Sequence, residues 1–320
     1  MKRRDFIRTT AVAVPAMSFF QADLSGISRV ANPGSVEKRS LGKTGQMLSM
    51  IGFGGILVKD ATPDKASELV KLAIDNGINY FDVAPSYGDA ELKLGPALEP
   101  YRKNVFLACK TTERSKDKSR DELEKSLKNL RTDHFDLYQL HAVTTLKDVD
   151  TIFGQGGAIE TFRAARDEGK VKFIGFSAHS VEAAMALMDR FDFDTILFPV
   201  NFTTWNAGNF GPQVLERAKQ KNMGILALKA MAKGPWQEGA DRSKYKKCWY
   251  EPLTSGDDIR MGLRFTLSHP VTAALTPGEE ELFRIALKVS DRLQPLTAEE
   301  TKAIKERGMK GVPLFRYPSA

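Results

Sequence analysis

Between residues 49 and 276, short runs of β-branched and aromatic residues alternate with longer segments in which apolar positions recur every three or four residues. The first pattern is that of buried strands, the second that of helices with one face on a core. Eight strand segments can be counted, at 49–57, 78–84, 105–111, 135–141, 171–177, 195–201, 224–229 and 271–276. Chemical signals mark the intervening helices. Thr62-Pro63 opens the first and Gly77 closes it, Ser119 with Glu122 reads as a capping box, and Gly169 ends the fourth. Eight βα units predict an α/β fold of the closed (β/α)8 TIM barrel type, whose active site lies on the loops at the C-terminal ends of the strands. A doubly wound parallel sheet is the alternative; it would need fewer strands, and no GxGxxG follows the first one.

Two segments exceed the repeat. Residues 36–47, with Lys43-Thr44-Gly45 at their turn, predict an N-terminal hairpin that plugs the bottom of the barrel. Residues 234–255 carry Trp236, Tyr245, Cys248, Trp249, Tyr250 and Pro252, too aromatic for a spacer. Following strand seven, they form an extended loop expected over the active mouth.

The chain opens MKRRDFIRTTAVAVPAMSFF, a basic segment, a short apolar one, then small and polar residues, which is the layout of an export signal. KRRDFIR resembles the twin-arginine (Tat) motif, with Arg3 and Arg4 as the pair read by the export machinery. The alternative is a disordered basic terminus. An A-x-A pattern occurs only at Ala11 to Ala13, inside the apolar segment, so the expectation is an exported, periplasmic protein, either soluble or anchored by an uncleaved leader. Residues 1–34 are accordingly read as leader and linker, and 35–320 as the barrel with a C-terminal helical extension.

Of the net charge of +7, the first eight residues carry +3, and the remainder is spread over helices such as 116–128 in which acids are interleaved. That is a solvated face rather than a phosphate-tracking stripe, and it argues against nucleic-acid binding. Two cysteines, Cys109 and Cys248, make no disulfide framework. The longest apolar stretch, residues 9–20, is shorter than the ~18 residues of a membrane-spanning helix. The assembly expected is a monomer or weak oligomer.

Four ionisable residues fall at or beyond the C-terminal ends of adjacent strands: Asp82 ends strand two, Tyr87 follows in its loop, Lys110 ends strand three and His141 ends strand four. Strand alternation turns Phe106, Ala108 and Lys110 inward, and a lysine inside a barrel needs a counter-charge, which Asp82 supplies from the neighbouring strand. Interior Lys–Asp pairs are often structural, and a strand-end histidine is often merely hydrogen-bonded. The convergence of four such groups on one mouth points instead to chemistry. A buried ammonium beside a tyrosine favours the phenolate, which would let Tyr87 act as a proton donor near neutral pH, with His141 orienting a carbonyl. A metal site is the weaker use of these residues, because His134, His179 and His269 show no ligand spacing.

At this point the chain resembles the aldo-keto reductase family. The resemblance is carried by KRSLGKTGQMLSMIGFGG, FDVAPSYGDAELKLG, the lysine strand, DLYQLH, GFSAHS and the TPG turn, nearly all of residues 36–293. It implies a TIM barrel with NAD(P)H extended across the mouth, and it maps the family's catalytic tetrad onto Asp82, Tyr87, Lys110 and His141. It also implies cofactor contacts at Gly54 and Gly55, at Asp82 and Ser177, and at Pro277, Gly278, Glu279 and Arg284.

The chain departs from the family where the nicotinamide is held. Ala178 stands for the Asn of a Ser-Asn pair, Leu197 for a strand-six Gln, Leu228 for a stacking aromatic, and Lys229-Ala230 for the following Ser-Pro. Asn201 or His179 would have to substitute. Glu279, Glu280 and Glu281 occupy the adenosine-phosphate loop, where a carboxylate repels a 2′-phosphate and accepts from a ribose hydroxyl, so NADH use is expected beside NADPH use. Phe202, Trp205, Trp236 and Trp249 are the candidates for a substrate pocket that stacks on a sugar or encloses an apolar group. The function expected is reversible hydride transfer between a carbonyl, sugar-derived carbonyls included, and an alcohol; the alternatives are a nucleotide-binding barrel without turnover and a barrel hydrolase or isomerase without nucleotide.

Overall fold

A computed structural model describes residues 35–318, together with the short strand Arg29–Val30. The leader containing Arg3 and Arg4 lies outside the described residues. Eight parallel strands close into a barrel in sequence order: β1 (Ile51–Gly54), β2 (Tyr80–Asp82), β3 (Phe106–Thr111), β4 (Phe135–Val143), β5 (Val171–Ala178), β6 (Thr195–Pro199), β7 (Gly224–Leu228) and β8 (Ala273–Leu275), with β8 returning to pair with β1. At least one helix follows each strand, so the expected barrel is the observed fold.

The inward positions of the strands fill the barrel. Tyr80, Phe106, Ala108, Leu137, Leu197, Leu226 and Ala273 meet there with Leu41 and Leu48 of the N-terminal plug, while a second, larger core lies between sheet and helices. Burying a leucine in this way is worth about 2 kcal/mol. The plug is the antiparallel pair Lys38–Ser40 and Met47–Ser49, extended by Arg29–Val30 to three strands. Gly42, at φ +47, takes its turn so close to the backbone of Met223 and Gly224 that no Cβ fits. Arg39 is buried beneath it and donates to the carbonyls of Leu267 and Val271.

Thr62 caps helix Pro63–Asp75 through Lys65 N–H, and Gly77 and Gly169 both take positive φ, as the sequence signals require. The capping box at Ser119 is a correction. Helix Lys116–Asn129 begins earlier, with Ser115 at its N-cap position, and the Ser119 hydroxyl turns back to the Lys116 carbonyl. Glu122 instead accepts from the Thr111 hydroxyl and the Thr112 amide, tying off the end of β3. Cys109 and Cys248 are both free and buried. Among the described residues no helix is long and apolar enough to cross a membrane.

Candidate active site

Lys110 projects from the end of β3 into the barrel and is fully buried. Its Nζ donates to Asp82 Oδ1, at the end of β2, and to the Val83 carbonyl at 3.1 Å. Burial works against the ammonium, but the Asp82 carboxylate beside it outweighs burial and holds the lysine pKa above its usual value. The other oxygen of Asp82 accepts from Gln139 Nε2 at 3.0 Å and from the Tyr80 hydroxyl at 3.3 Å. Neither Gln139 nor Tyr80 was singled out from the sequence. The signal was present: the alternation along β4 that turns Leu137 inward also turns Gln139 and His141 inward.

The Lys110 ammonium lies 5.2 Å from the centroid of the Tyr87 ring. Burial pushes the Tyr87 phenol up; Lys110 pulls it down, yet the net displacement is upward. This corrects the expectation of a phenol acidified toward neutrality, because the ammonium is already neutralised by Asp82 while the phenol is desolvated. Tyr87 is therefore protonated at neutral pH.

His141 meets Tyr87 edge to face, with ring centroids 5.8 Å apart, and its Nδ1 lies 3.3 Å from the Ser86 hydroxyl. Burial first, then the charges of Lys110 and its other basic neighbours, push the imidazole down to about 2, so it is neutral. A bulge in β4 sets its direction: the register slips between Leu140 and Val143, with Ala142 in the left-handed region at φ +51. The Ala142 amide donates to Ser177 Oγ at 2.8 Å, and Arg114 donates to the His141 carbonyl at 2.7 Å. Asp82, Tyr87, Lys110 and His141 are thus brought into one cluster. Ser177 reaches it as the clasp on the bulge.

The remaining sequence-nominated residues divide. Ala178 is buried at the end of β5. Asn201 is buried and caps the helix after β6 by accepting from the Thr204 amide, and its Nδ2 has no partner. Leu228 packs with Leu197 in the barrel interior. Phe202 and Trp205 pack into the helical layer against Phe265, and Trp205 also against His269, so their contacts are structural.

Trp236 and Trp249 belong to the loop after β7. That loop is a strap whose base is the antiparallel pair Ala232–Gly234 and Glu251–Pro252. Trp236 Nε1 donates to the Cys248 carbonyl, closing the strap on itself. The strap crosses the rim between β1 and β8: Lys247 donates through its amide to Glu279 Oε1 at 2.7 Å and through Nζ to the Leu57 carbonyl at 2.9 Å, and Lys244 pairs with Glu281. Gly278 lies under it; a Cβ there would be 2.8 Å from Ile56 and 3.0 Å from Lys247. Gly54 and Gly55 are buried where β1 approaches Thr276 and Val83, and Pro277 and Ala230 are also buried. Arg284 is shared between Glu68 and Glu280. The C-terminal tail, which carried no sequence signal, completes the wall: Phe315 stacks on His179 at 5.2 Å and meets Trp249 at 6.1 Å. Among the described residues no cluster of His, Cys, Asp and Glu has the geometry of a metal site.

Residues 50–303 match the model of the aldo/keto reductase family. The chain belongs to that family. The reductase is 25% identical over 304 residues to an uncharacterized oxidoreductase of Bacillus subtilis, covering 84% of this chain and 96% of that relative. It is 26% identical over 215 residues to L-galactose dehydrogenase of Arabidopsis thaliana, covering 62% and 66% of the two chains. The fold superposes on the holo form of an aldo-keto reductase from Bacillus halodurans with a TM-score of 0.68, at 22% identity over 86% of this chain and 97% of the other. This aldo/keto reductase is an NAD(P)-dependent oxidoreductase of the TIM-barrel type.

Proposed function

We propose that the protein interconverts a carbonyl and an alcohol at the cluster around Tyr87, and that Tyr87 is the general acid. The observation that carries the reading is the neutralised Lys110–Asp82 pair set beneath a protonated Tyr87 and a neutral His141. A reduced nicotinamide, when bound, supplies the hydride. Tyr87 gives its proton to the developing alkoxide, Lys110 stabilises the phenolate that results, and neutral His141 directs the carbonyl by hydrogen bonding. In the reverse direction the phenolate takes the proton from the alcohol.

The donors left over fit a nicotinamide cofactor in part. The unpartnered, buried Nδ2 of Asn201 suits a carboxamide oxygen, a role that the apolar side chains of Ala178 and Leu197 cannot fill. At the adenosine end, Arg284 is already occupied by Glu68 and Glu280, which disfavours a 2′-phosphate and supports NADH. The strap over Gly278 must lift for a dinucleotide to lie there. The leader reading adds export through Arg3 and Arg4 with the nucleotide already aboard. A retained nucleotide would then shuttle hydride between an alcohol substrate and a carbonyl substrate. The sugar-oxidising relative is compatible with a sugar-derived substrate.

The test is turnover of an aldehyde panel with NADH and with NADPH, together with analysis of nucleotide bound to exported, extensively dialysed protein. Turnover abolished in Tyr87→Phe and a stoichiometric dinucleotide are expected. Bound nucleotide without turnover of any aldehyde or alcohol would make the protein a binding barrel instead.

A further inference from the structure

One charged side chain in the mouth takes no part in the proposed proton transfer. Lys229 follows the last residue of β7 in the left-handed region at φ +68, a conformation that a long side chain adopts at a cost of order 1 kcal/mol and that persists only where the surroundings impose it. The turn is fixed by two backbone bonds: the Leu228 carbonyl accepts from the Val200 amide, and the Lys229 carbonyl from the Ala232 amide. It sends Nζ between two strap rings, 4.9 Å from the centroid of Trp249 and 4.6 Å from that of Tyr250. Among the described residues the ammonium has no ion-pair partner.

The aromatic faces hold the cation without satisfying its hydrogen bonds. Trp249 leads on to Phe315 and from there to His179, so the cation shares a wall with the C-terminal tail. Its field reaches both His141, on β4, and His179, just beyond β5. The titratable group that acts on it in turn is the Cys248 thiol of the strap, which itself lies within reach of Glu279. Burial without a counter-charge pushes the lysine down to about 8. The ammonium is thus held in the mouth by the strap rings, on the side that His141 and His179 share.

We propose that Lys229, presented by its left-handed turn between Trp249 and Tyr250, binds an oxyanion on the substrate, so that the preferred substrate is a carbonyl compound bearing a carboxylate remote from the reacting carbon. The proposal rests on the reductase reading for the reacting centre and adds the chemical class of what is reduced. A carboxylate seated there gains a charge-assisted hydrogen bond beside the two rings and gives the Lys229 ammonium a counter-charge.

The probes are 4-formylbenzoate and its neutral amide, reduced by the full-length protein with NADH and with NADPH. The expected result is a kcat/KM ratio of acid over amide of at least about tenfold, consistent with one charge-assisted contact. That ratio should collapse toward one in Lys229→Met and be largely kept in Lys229→Arg. The dinucleotide dissociation constant should move less than about threefold, since the proposal spends the ammonium on the substrate and not on the cofactor. A wild type without acid preference, or a preference that survives Lys229→Met, overturns the proposal. Dinucleotide binding weakened more than about tenfold in Lys229→Met, with no change in the acid-to-amide ratio, assigns the ammonium to the pyrophosphate and also overturns it. If the wild type turns over neither probe, the aldehyde panel decides the reductase reading, and calorimetric titration with 4-formylbenzoate decides Lys229: binding by the wild type that is lost in Lys229→Met supports the oxyanion site, and equal binding or none removes it.

Discussion

Gln139 donates from Nε2 to Asp82 Oδ2 at 3.0 Å, the oxygen opposite the one that holds Lys110. The amide therefore fixes the plane of the carboxylate, and through it the height of the ammonium under Tyr87. Its own Oε1 has no partner, so the residue bears an unsatisfied buried acceptor in order to make this one bond. Gln139→Leu should lower kcat for carbonyl reduction by about tenfold, the value of one hydrogen bond to a charged group, with KM moved much less. A fall in stability with kcat intact would show that Gln139 only fills space.

Tyr87→Phe should cost at least about a hundredfold in carbonyl reduction, the usual worth of a general acid, while nucleotide affinity stays within about threefold. The upward displacement of the phenol adds a pH expectation. The acid form is the active one, so raising its pKa above about 10 leaves reduction independent of this group from pH 7 to about 9. A kcat/KM that declines through pH 8 with a single ionisation, and loses that decline in Tyr87→Phe, would show that bound cofactor reverses the balance between burial and Lys110.

What the sequence disclosed depended on whether a signal was local. The eight strands, the plug and the cluster of Asp82, Tyr87, Lys110 and His141 follow from alternation and from strand ends, which are properties of neighbouring residues. Ser119 misled because a Ser-x-x-Glu spacing says nothing about competing partners, and Glu122 finds a better one in Thr111 across the loop. Phe202 and Trp205 looked like pocket residues by composition alone; their placement depends on the distant Phe265 and His269. Phe315 was invisible for the same reason, since it reaches the mouth only after the last helix, Ala298–Lys310, has packed against Phe202–Asn206. The left-handed turn at Lys229 had no glycine or asparagine to announce it.

The strap predicts an exchange rate and a cofactor preference. The Lys247 amide is held by Glu279, and Lys244 by Glu281, so Glu279→Ala should let the strap lift more readily and speed nucleotide release by about tenfold, one charge-assisted hydrogen bond. Stopped-flow displacement of NADH measures it. NADH should bind wild-type protein at least as tightly as NADPH, because Arg284 is already engaged. A preference for NADPH of about a hundredfold, near 2.7 kcal/mol, would mean that Arg284 leaves its carboxylates for the 2′-phosphate.

Three histidines make the fold sensitive to mild acid. Burial pushes His141 down to about 2 and His179 and His269 down to about 4, so the native state refuses their protons. An unfolded chain binds those protons below about pH 6.5, and stability falls wherever the unfolded state holds more protons than the native one. The loss therefore begins as pH drops through 6.5 and continues to about pH 4 for His179 and His269 and lower for His141, while pH 7 to 8 is nearly flat for these groups. Between pH 7 and 5.5 each histidine should cost roughly 1 kcal/mol, on the order of 3 kcal/mol together as an upper bound. His269 isolates the effect, being far from the proposed chemistry: its Nδ1 lies 2.9 Å from the Phe265 carbonyl and its ring packs on Trp205. Urea unfolding at both pH values should show His269→Gln less stable than wild type at pH 7 but with about a third of the acid loss removed, since one of three equivalent protonations is gone. An unchanged pH slope in that variant would place the titration elsewhere.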